Sequence, residues 1–357
     1  MQDHVLANTM TQTQKTHIYV VDGTLARMAS GEETNAGLLV RLLQESAHPD
    51  LTLGYDHGIQ GGGRGWRKWL NVASGLEINI SIAEGYRSLC ERYRPGDKIM
   101  LFGYSRGAYA VRSLAGMIAR IGLLRHDVVV KRRVELAYRY YQTKELSRSA
   151  RVFSRRYTHR TPPVIEMIGC WDTVKALGIP FPIVSRLAPM ATEFHNHNLS
   201  PIIKNAFQAL ALDENRTAYS PIPWRPIPNW QGHMEQVWFA GAHADIGGQI
   251  AASAKSRPLS NIPLVWMLER AEACGLPLPD GWRSRFDCDA TAPMLGPYAG
   301  IARMFFYREK RHFHAERGDI LHPSVQERMT ELPKYLPRAL PGNDAHGWPA
   351  QTALSHE

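Results

Sequence analysis

Residues 98–118 read KIMLFGYSRGAYAVRSLAGMI, and their pattern decides the fold. Lys98–Tyr104 is a continuous apolar run, as in a strand buried on both faces of a parallel sheet. From Arg106 to Gly122 the period changes. Val111, Leu114, Ile118 and Ile121 recur at steps of three and four, which predicts a helix with one apolar face. Between the two stands Gly103-Tyr104-Ser105-Arg106-Gly107, a GxSxG sequence. Such short patterns recur by chance, but strand, sharp turn and helix are the context a nucleophile elbow requires. The turn would lift the Ser105 hydroxyl above the sheet edge, and Gly103 and Gly107 leave room for the backbone to pass. The Arg106 N–H, at the helix start, would stabilise a developing oxyanion. The competing reading makes Ser105 an ordinary helix N-cap.

A serine nucleophile needs a base, and the base needs an orienting acid. With this type of elbow the chain order is serine, acid, histidine, the last two following later strands. Val164–Trp171 (VIEMIGCW) and Gln236–Gly241 (QVWFAG) read as strands, and Asp172 and His243 follow them. Asp172 with His243 is the expected pairing; Asp245 is a competing acid and His322 a competing base, and Asp245 with His322 is the alternative. His17–Asp22 (HIYVVD) reads as the first strand. Its Asp22-Gly23-Thr24 end lacks the second aspartate of an aspartyl-phosphate DxDxT motif, since position 20 is Val20. That chemistry is rejected. Backbone N–H groups of Gly23 and Thr24 instead offer the second half of an oxyanion hole.

Around these motifs, residues 34–45 and 77–93 read as helices and 51–55 as a strand. Gly58–Gly65 is glycine-rich but has no GK[ST] ending, which excludes a P-loop. Strands separated by helices predict an α/β class fold: one doubly wound, mostly parallel sheet over residues 17–330. Long segments at about 123–163 and 178–235 read as helical cap or lid insertions. Residues 1–16 and 331–357 read as tails.

The chain has 357 residues, 44% apolar and 21% charged, with a net charge of +9. That excludes disordered, collagen-like and coiled-coil classes. No apolar run is long enough for a transmembrane helix, and the polar N-terminus does not read as a signal peptide. The expectation is a chain held in the cytoplasm of the producing cell, or exported without a cleaved leader. Four dispersed cysteines predict thiols rather than a disulfide framework or zinc site. The HxH pairs His195/His197 and His312/His314 lack a third ligand pattern, so no metal and no cofactor is expected. Trp171, Trp224, Trp238 and Trp266 read as core or cap aromatics. Between Arg125 and Arg160 eleven Lys or Arg face three acids. Lys131, Arg132, Arg133, Arg155 and Arg156 are thus candidates for an anionic lipid surface. No nucleic-acid motif accompanies them, and no nucleic-acid partner is expected.

Taken jointly, several stretches resemble the DUF2235 family of α/β hydrolases, which includes the catalytic domain of one class of type VI secretion phospholipase effectors. They are VVDGT (20–24), residues 93–118, CWDTVKALGIP (170–180), QALALDENR (208–216), VWFAGAHADIGG (237–248), LVWMLERAEACGL (264–276) and HPSVQERM (322–329). The resemblance implies an α/β-hydrolase fold and an esterase acting on acyl esters, phospholipids among them. It implies Ser105 as nucleophile, with the WDTV and HxDxGG segments falling on Asp172 and His243–Asp245. The alternatives are an esterase or thioesterase for soluble substrates, and a non-catalytic binding module that keeps the fold.

Overall fold

A computed structural model describes residues 13–58, 76–174, 198–225, 227–250, 253–298, 307–337 and 339–340. Seven parallel strands form one sheet in the order β2-β1-β3-β4-β5-β6-β7. They are β1 (Thr16–Val21), β2 (Leu51–Asp56), β3 (Lys98–Tyr104), β4 (Val164–Trp171), β5 (Ile203–Ala211), β6 (His233–Phe239) and β7 (Asp319–Leu321).

The apolar runs are explained by burial on both faces. Along β1, Ile18 and Val20 enter one core while Tyr19 and Val21 enter the other. Along β3, Met100, Phe102 and Tyr104 oppose Ile99 and Leu101 in the same way. Helices α1 (Asn35–Ser46) and, later in the chain, Arg257–Ala273 cover the first face; α2 (Leu76–Arg92) and α3 (Arg106–Ile121) cover the second. The α/β-hydrolase fold expected from the sequence is therefore present. β1 has β2 on one side and β3 on the other, so the strand order reverses there. The carboxyl ends at such a point are where open α/β sheets bind ligands.

One expectation needs correction. Residues 203–211 lie within the segment read as a cap, yet they form β5, a strand inside the sheet between β4 and β6. The run AFQALA has helix-forming composition, but all six residues are buried and the ladder on both edges overrides propensity. β7, three residues long, also escapes a pattern-based reading. Residues 123–163 do carry helices, α4 (Lys131–Tyr141) and α5 (Arg148–Tyr157), and these pack against α2 and α3. The Gly58–Gly65 loop beyond Gly58, residues 178–197 with His195 and His197, residues 1–12 and residues 341–357 lie outside the described residues.

Candidate active site

Ser105 stands at the β3–α3 turn with φ 60° and ψ −120°, in the left-handed region that side chains rarely occupy. Its amide donates to the Trp171 carbonyl at 2.9 Å, which pins the turn to β4. The glycines are required by contact. A Cβ on Gly103 would lie 2.6 Å from the Ala108 nitrogen, and one on Gly107 would lie 2.2 Å from the Val21 oxygen. No side chain fits at either position without moving the sheet or α3.

His243 opens the five-residue helix α6 (His243–Gly247), four residues beyond the end of β6. Gly241 before it takes a φ of 115°. Its ring lies between two aromatics, with Tyr104 and Tyr219 centroids at 5.0 and 4.8 Å. Nε2 is 2.7 Å from Ser105 Oγ, and Nδ1 is 2.6 Å from Asp172 Oδ2. A carboxylate only accepts, so in the neutral ring Nδ1–H donates to Asp172 and Nε2 accepts from the serine hydroxyl. All three groups are buried: Ser105 is 5% exposed, His243 4% and Asp172 0%.

Asp172 ends β4 with a φ of 45°, the backbone twist that turns its carboxylate toward His243. Oδ1 also accepts the Ala211 N–H at 3.0 Å. Two residues that no sequence pattern announces complete its surroundings. Arg311 forks the carboxylate, Nη1 to Oδ1 at 2.6 Å and Nη2 to Oδ2 at 2.9 Å. Glu214 accepts the His243 backbone N–H at 3.2 Å while paired with Arg216, whose guanidinium lies 3.7 Å from the Tyr219 ring centre. Burial would raise the Asp172 pKa, but the Arg311 charge and the His243 hydrogen bond outweigh it and hold the carboxyl well below the usual range. Burial lowers the His243 pKa, and Asp172 opposes that shift. The arrangement can take a proton from a serine hydroxyl and hold the resulting imidazolium against an ionised acid. Glu214 and Arg216 fall within DENR (213–216), so only the family resemblance points to that region; Arg311 is brought in solely by folding.

The competing residues are occupied elsewhere. Asp245 accepts the amides of Ala242, Leu295 and Gly296. His322 caps the helix Pro323–Glu331, accepting the Ser324 N–H, and stacks on Phe239 at 4.6 Å. Of the expected pairing and its alternative, it is Asp172 and His243 that lie in line with Ser105.

The β1 end differs from expectation in one respect. The Gly23 N–H donates to Asp22 Oδ1 at 2.6 Å. That buried carboxylate also accepts the hydroxyls of Thr34, the α1 N-cap, and Tyr55, each at 2.8 Å. Asp22 thus ties β1 to α1 and β2 and takes up the Gly23 amide. Thr24, next along, anchors Gln249 through its carbonyl at 2.8 Å.

Of the basic residues between 125 and 160, Arg125, Arg133 and Arg156 come together around Tyr157, beyond the carboxyl end of α3. Arg133 donates to the Val128 carbonyl and lies over the Tyr157 ring, while Arg125 donates to the Arg156 carbonyl. Leu124, just past the end of α3, bridges Thr158. α3, sixteen residues and about 24 Å long, runs from Ser105 toward this segment. All four cysteines are free thiols and the four tryptophans named above are buried. The His312 and His314 rings are 6.3 Å apart. Among the described residues no group of His, Cys, Asp or Glu is arranged to hold a metal, and no helix is long and apolar enough to cross a membrane.

Against known proteins, the family described as T6SS phospholipase effector Tle1-like, catalytic domain, matches residues 15–270. An uncharacterised protein of Saccharomyces cerevisiae is 28% identical over 239 residues, covering 60% of this chain and 33% of that protein. The chain therefore spans about a third of the curated relative it matches. Among solved structures, the Tle1 effector bound to the VgrG spike of the type 6 secretion system is 20% identical with a TM-score of 0.39, over 66% of this chain and 51% of that one. An uncharacterised protein from Pseudomonas aeruginosa is 16% identical with a TM-score of 0.41, over 77% of this chain and 49% of that one. With more than half of its length matched, the chain belongs to the family of Tle1-like phospholipase effector catalytic domains.

Proposed function

We propose that this protein is a serine hydrolase that cleaves carboxylic esters, with phospholipid acyl esters as its substrate class. The observation that carries the reading is the buried line Ser105 Oγ–His243 Nε2, His243 Nδ1–Asp172. Ser105 Oγ attacks the ester carbonyl as His243 takes its proton. The tetrahedral oxyanion then collapses, the alcohol leaves with the proton from the imidazolium, and Ser105 is acylated. Water, deprotonated by the same ring, releases the fatty acid and restores the hydroxyl. Asp172 stays ionised throughout and fixes the tautomer. The N–H of Arg106 and that of Thr24 are the proposed oxyanion donors, since the Gly23 amide is bound to Asp22. Family membership supports phospholipid over soluble esters or thioesters.

A fluorophosphonate probe tests the chemistry: labelling of the wild type and none of Ser105→Ala is expected, and equal labelling of both would end the proposal. Faster turnover of phospholipid vesicles than of short p-nitrophenyl esters is expected for the substrate class; the reverse order would assign a soluble-ester hydrolase.

The basic face is a separate question, because a membrane held against Lys131, Arg132, Arg133, Arg155 and Arg156 would lie at the end of α3 away from Ser105. We infer an anion-docking role for it, apart from substrate delivery. Vesicle binding that weakens as salt rises from about 0.05 to 0.5 M is the expected result; binding indifferent to salt would remove the role.

A further inference from the structure

Asp172 does more in this site than accept from one histidine. Its Oδ2 is shared between His243 Nδ1 and Arg311 Nη2, and its Oδ1 between Arg311 Nη1 and the Ala211 amide. The guanidinium is itself fixed. Nη1 also donates to the Ala211 carbonyl at 3.0 Å and Nη2 to the Tyr219 carbonyl at 2.6 Å. Two side chains, 3% and 0% exposed, are therefore locked in one plane by a rigid fork that a lysine cannot reproduce.

We propose that Arg311 is a positioning residue of the hydrolytic site: its fork orients the Asp172 carboxylate for His243 and takes up part of the acid's charge, which sets the pH range in which the histidine works as a base. This rests on the reading of Ser105, His243 and Asp172 given above.

The charges around the ring leave this task to Arg311. Beyond β5, Glu214 and Arg216 pair with each other at 2.6 Å. Tyr219 from the following loop and Tyr104 from the end of β3 present uncharged aromatic rings, and Ser105 presents a neutral hydroxyl. On α6, Asp245 is turned to the Leu295 and Gly296 amides. Asp172 is thus the anion in direct contact with the imidazole, and Arg311 is the cation on that anion. An acid half-compensated by a guanidinium stabilises imidazolium less than a lone carboxylate does, so the ring stays neutral, and basic, to lower pH. Arg311 also lines a cavity of about 560 Å³ together with Trp224, Trp238 and His312. A small cation in that cavity would adjoin the place the side chain leaves when it is shortened.

The cavity makes a rescue experiment feasible. In Arg311→Ala, kcat/KM on an activated ester should fall about 10- to 100-fold, the loss typical of a residue that orients a catalytic group. The acidic limb of its pH profile should move up by about one unit. Guanidinium at about 20 mM, far below unfolding concentrations, should restore most of the rate to this variant and none to Asp172→Asn. Arg311→Lys should keep the wild-type limb with a reduced rate, separating charge from fork. NMR titration of the His243 ring, assigned through His243→Gln, should show the same upward shift without relying on turnover. A wild-type rate and limb in Arg311→Ala would overturn the proposal. So would a lower rate with an unmoved limb, an unmoved ring titration and no guanidinium response, which is the outcome of a purely structural ion pair. Failure of the wild type to react with fluorophosphonate would instead sink the hydrolase reading, and the ring titration would still judge Arg311.

Discussion

β6 and β7 lie side by side, and a histidine follows each: His243 after β6, His322 after β7. Both rings are packed against aromatics, and burial pushes both below the usual histidine range. The difference is in what each nitrogen meets. His243 has an ionised acid on one side and a hydroxyl on the other. His322 has the Ser324 amide and hydroxyl on Nδ1 and a phenylalanine under its face, and its pKa is pushed down to about 4. Burial alone makes a histidine neutral and inert. A carboxylate behind it makes the neutral ring a base able to hold a proton when chemistry delivers one.

The comparison breaks first on activity. In the proposed mechanism His243→Gln should lower kcat by about 10⁶, the loss seen when a triad histidine is removed. His322→Gln should leave kcat within about twofold, because a distant cap contributes to stability and not to the transition state. Steady-state hydrolysis of an activated ester by the two purified variants decides it. A comparable loss in His322→Gln would make the two histidines equivalent and overturn the contrast.

The two candidate acids sharpen it. Asp172→Asn keeps the shape but offers an amide where the ring needs an anion, and kcat should fall about 10⁴-fold. Asp245→Asn exchanges one of the oxygens that accept the Ala242, Leu295 and Gly296 amides for an NH₂ donor. Its expected effect is a loss of about 1–3 kcal/mol in stability with catalysis kept in the folded fraction. Denaturant melts beside activity measurements separate the two effects; an inactive but undiminished Asp245→Asn would move the acid to that position.

Much of this was legible before any fold was known, for identifiable reasons. The strand at 98–104, the turn and the helix at 106–121 announce themselves because burial on two faces, close backbone approach and one apolar stripe each leave a local pattern. Asp172 and His243 are legible as strand-end residues, and choosing them over Asp245 and His322 needs geometry, since all four follow or flank apolar runs. β5 is hidden because AFQALA suits a helix as well as a strand, and only its two neighbours in the sheet decide. Arg311 leaves no local trace at all. Its partner lies 139 positions away, and an arginine beside two histidines in a loop reads as ordinary solvated charge. The Gly23 amide is misread for a similar reason: whether Asp22 turns back on it depends on Thr34 and Tyr55, from other elements.

The smallest expected effect is thermodynamic and concerns His322 alone. Its folded-state pKa of about 4 lies below the usual value near 6.5, so the unfolded chain takes up the proton first. Stability from this group is complete above about pH 6.5 and is lost as pH falls from there towards 4, by at most about 1.4 kcal/mol per unit. His322→Asn keeps an oxygen to accept the Ser324 N–H, since asparagine is a good N-cap, and cannot titrate. The variant should be less stable at pH 7, having lost the ring stacked on Phe239, yet its stability should fall less steeply with acid. The two curves should converge as pH drops. Urea melts at intervals between pH 7 and 4.5 measure that difference, and the other histidines whose pKa is lowered, His17, His159 and His243, cancel because both chains carry them. Parallel curves over the window would mean that the folded His322 ring takes up its proton at the same pH as in the unfolded chain, and the contrast between a poised ring and an inert one would lose its physical basis.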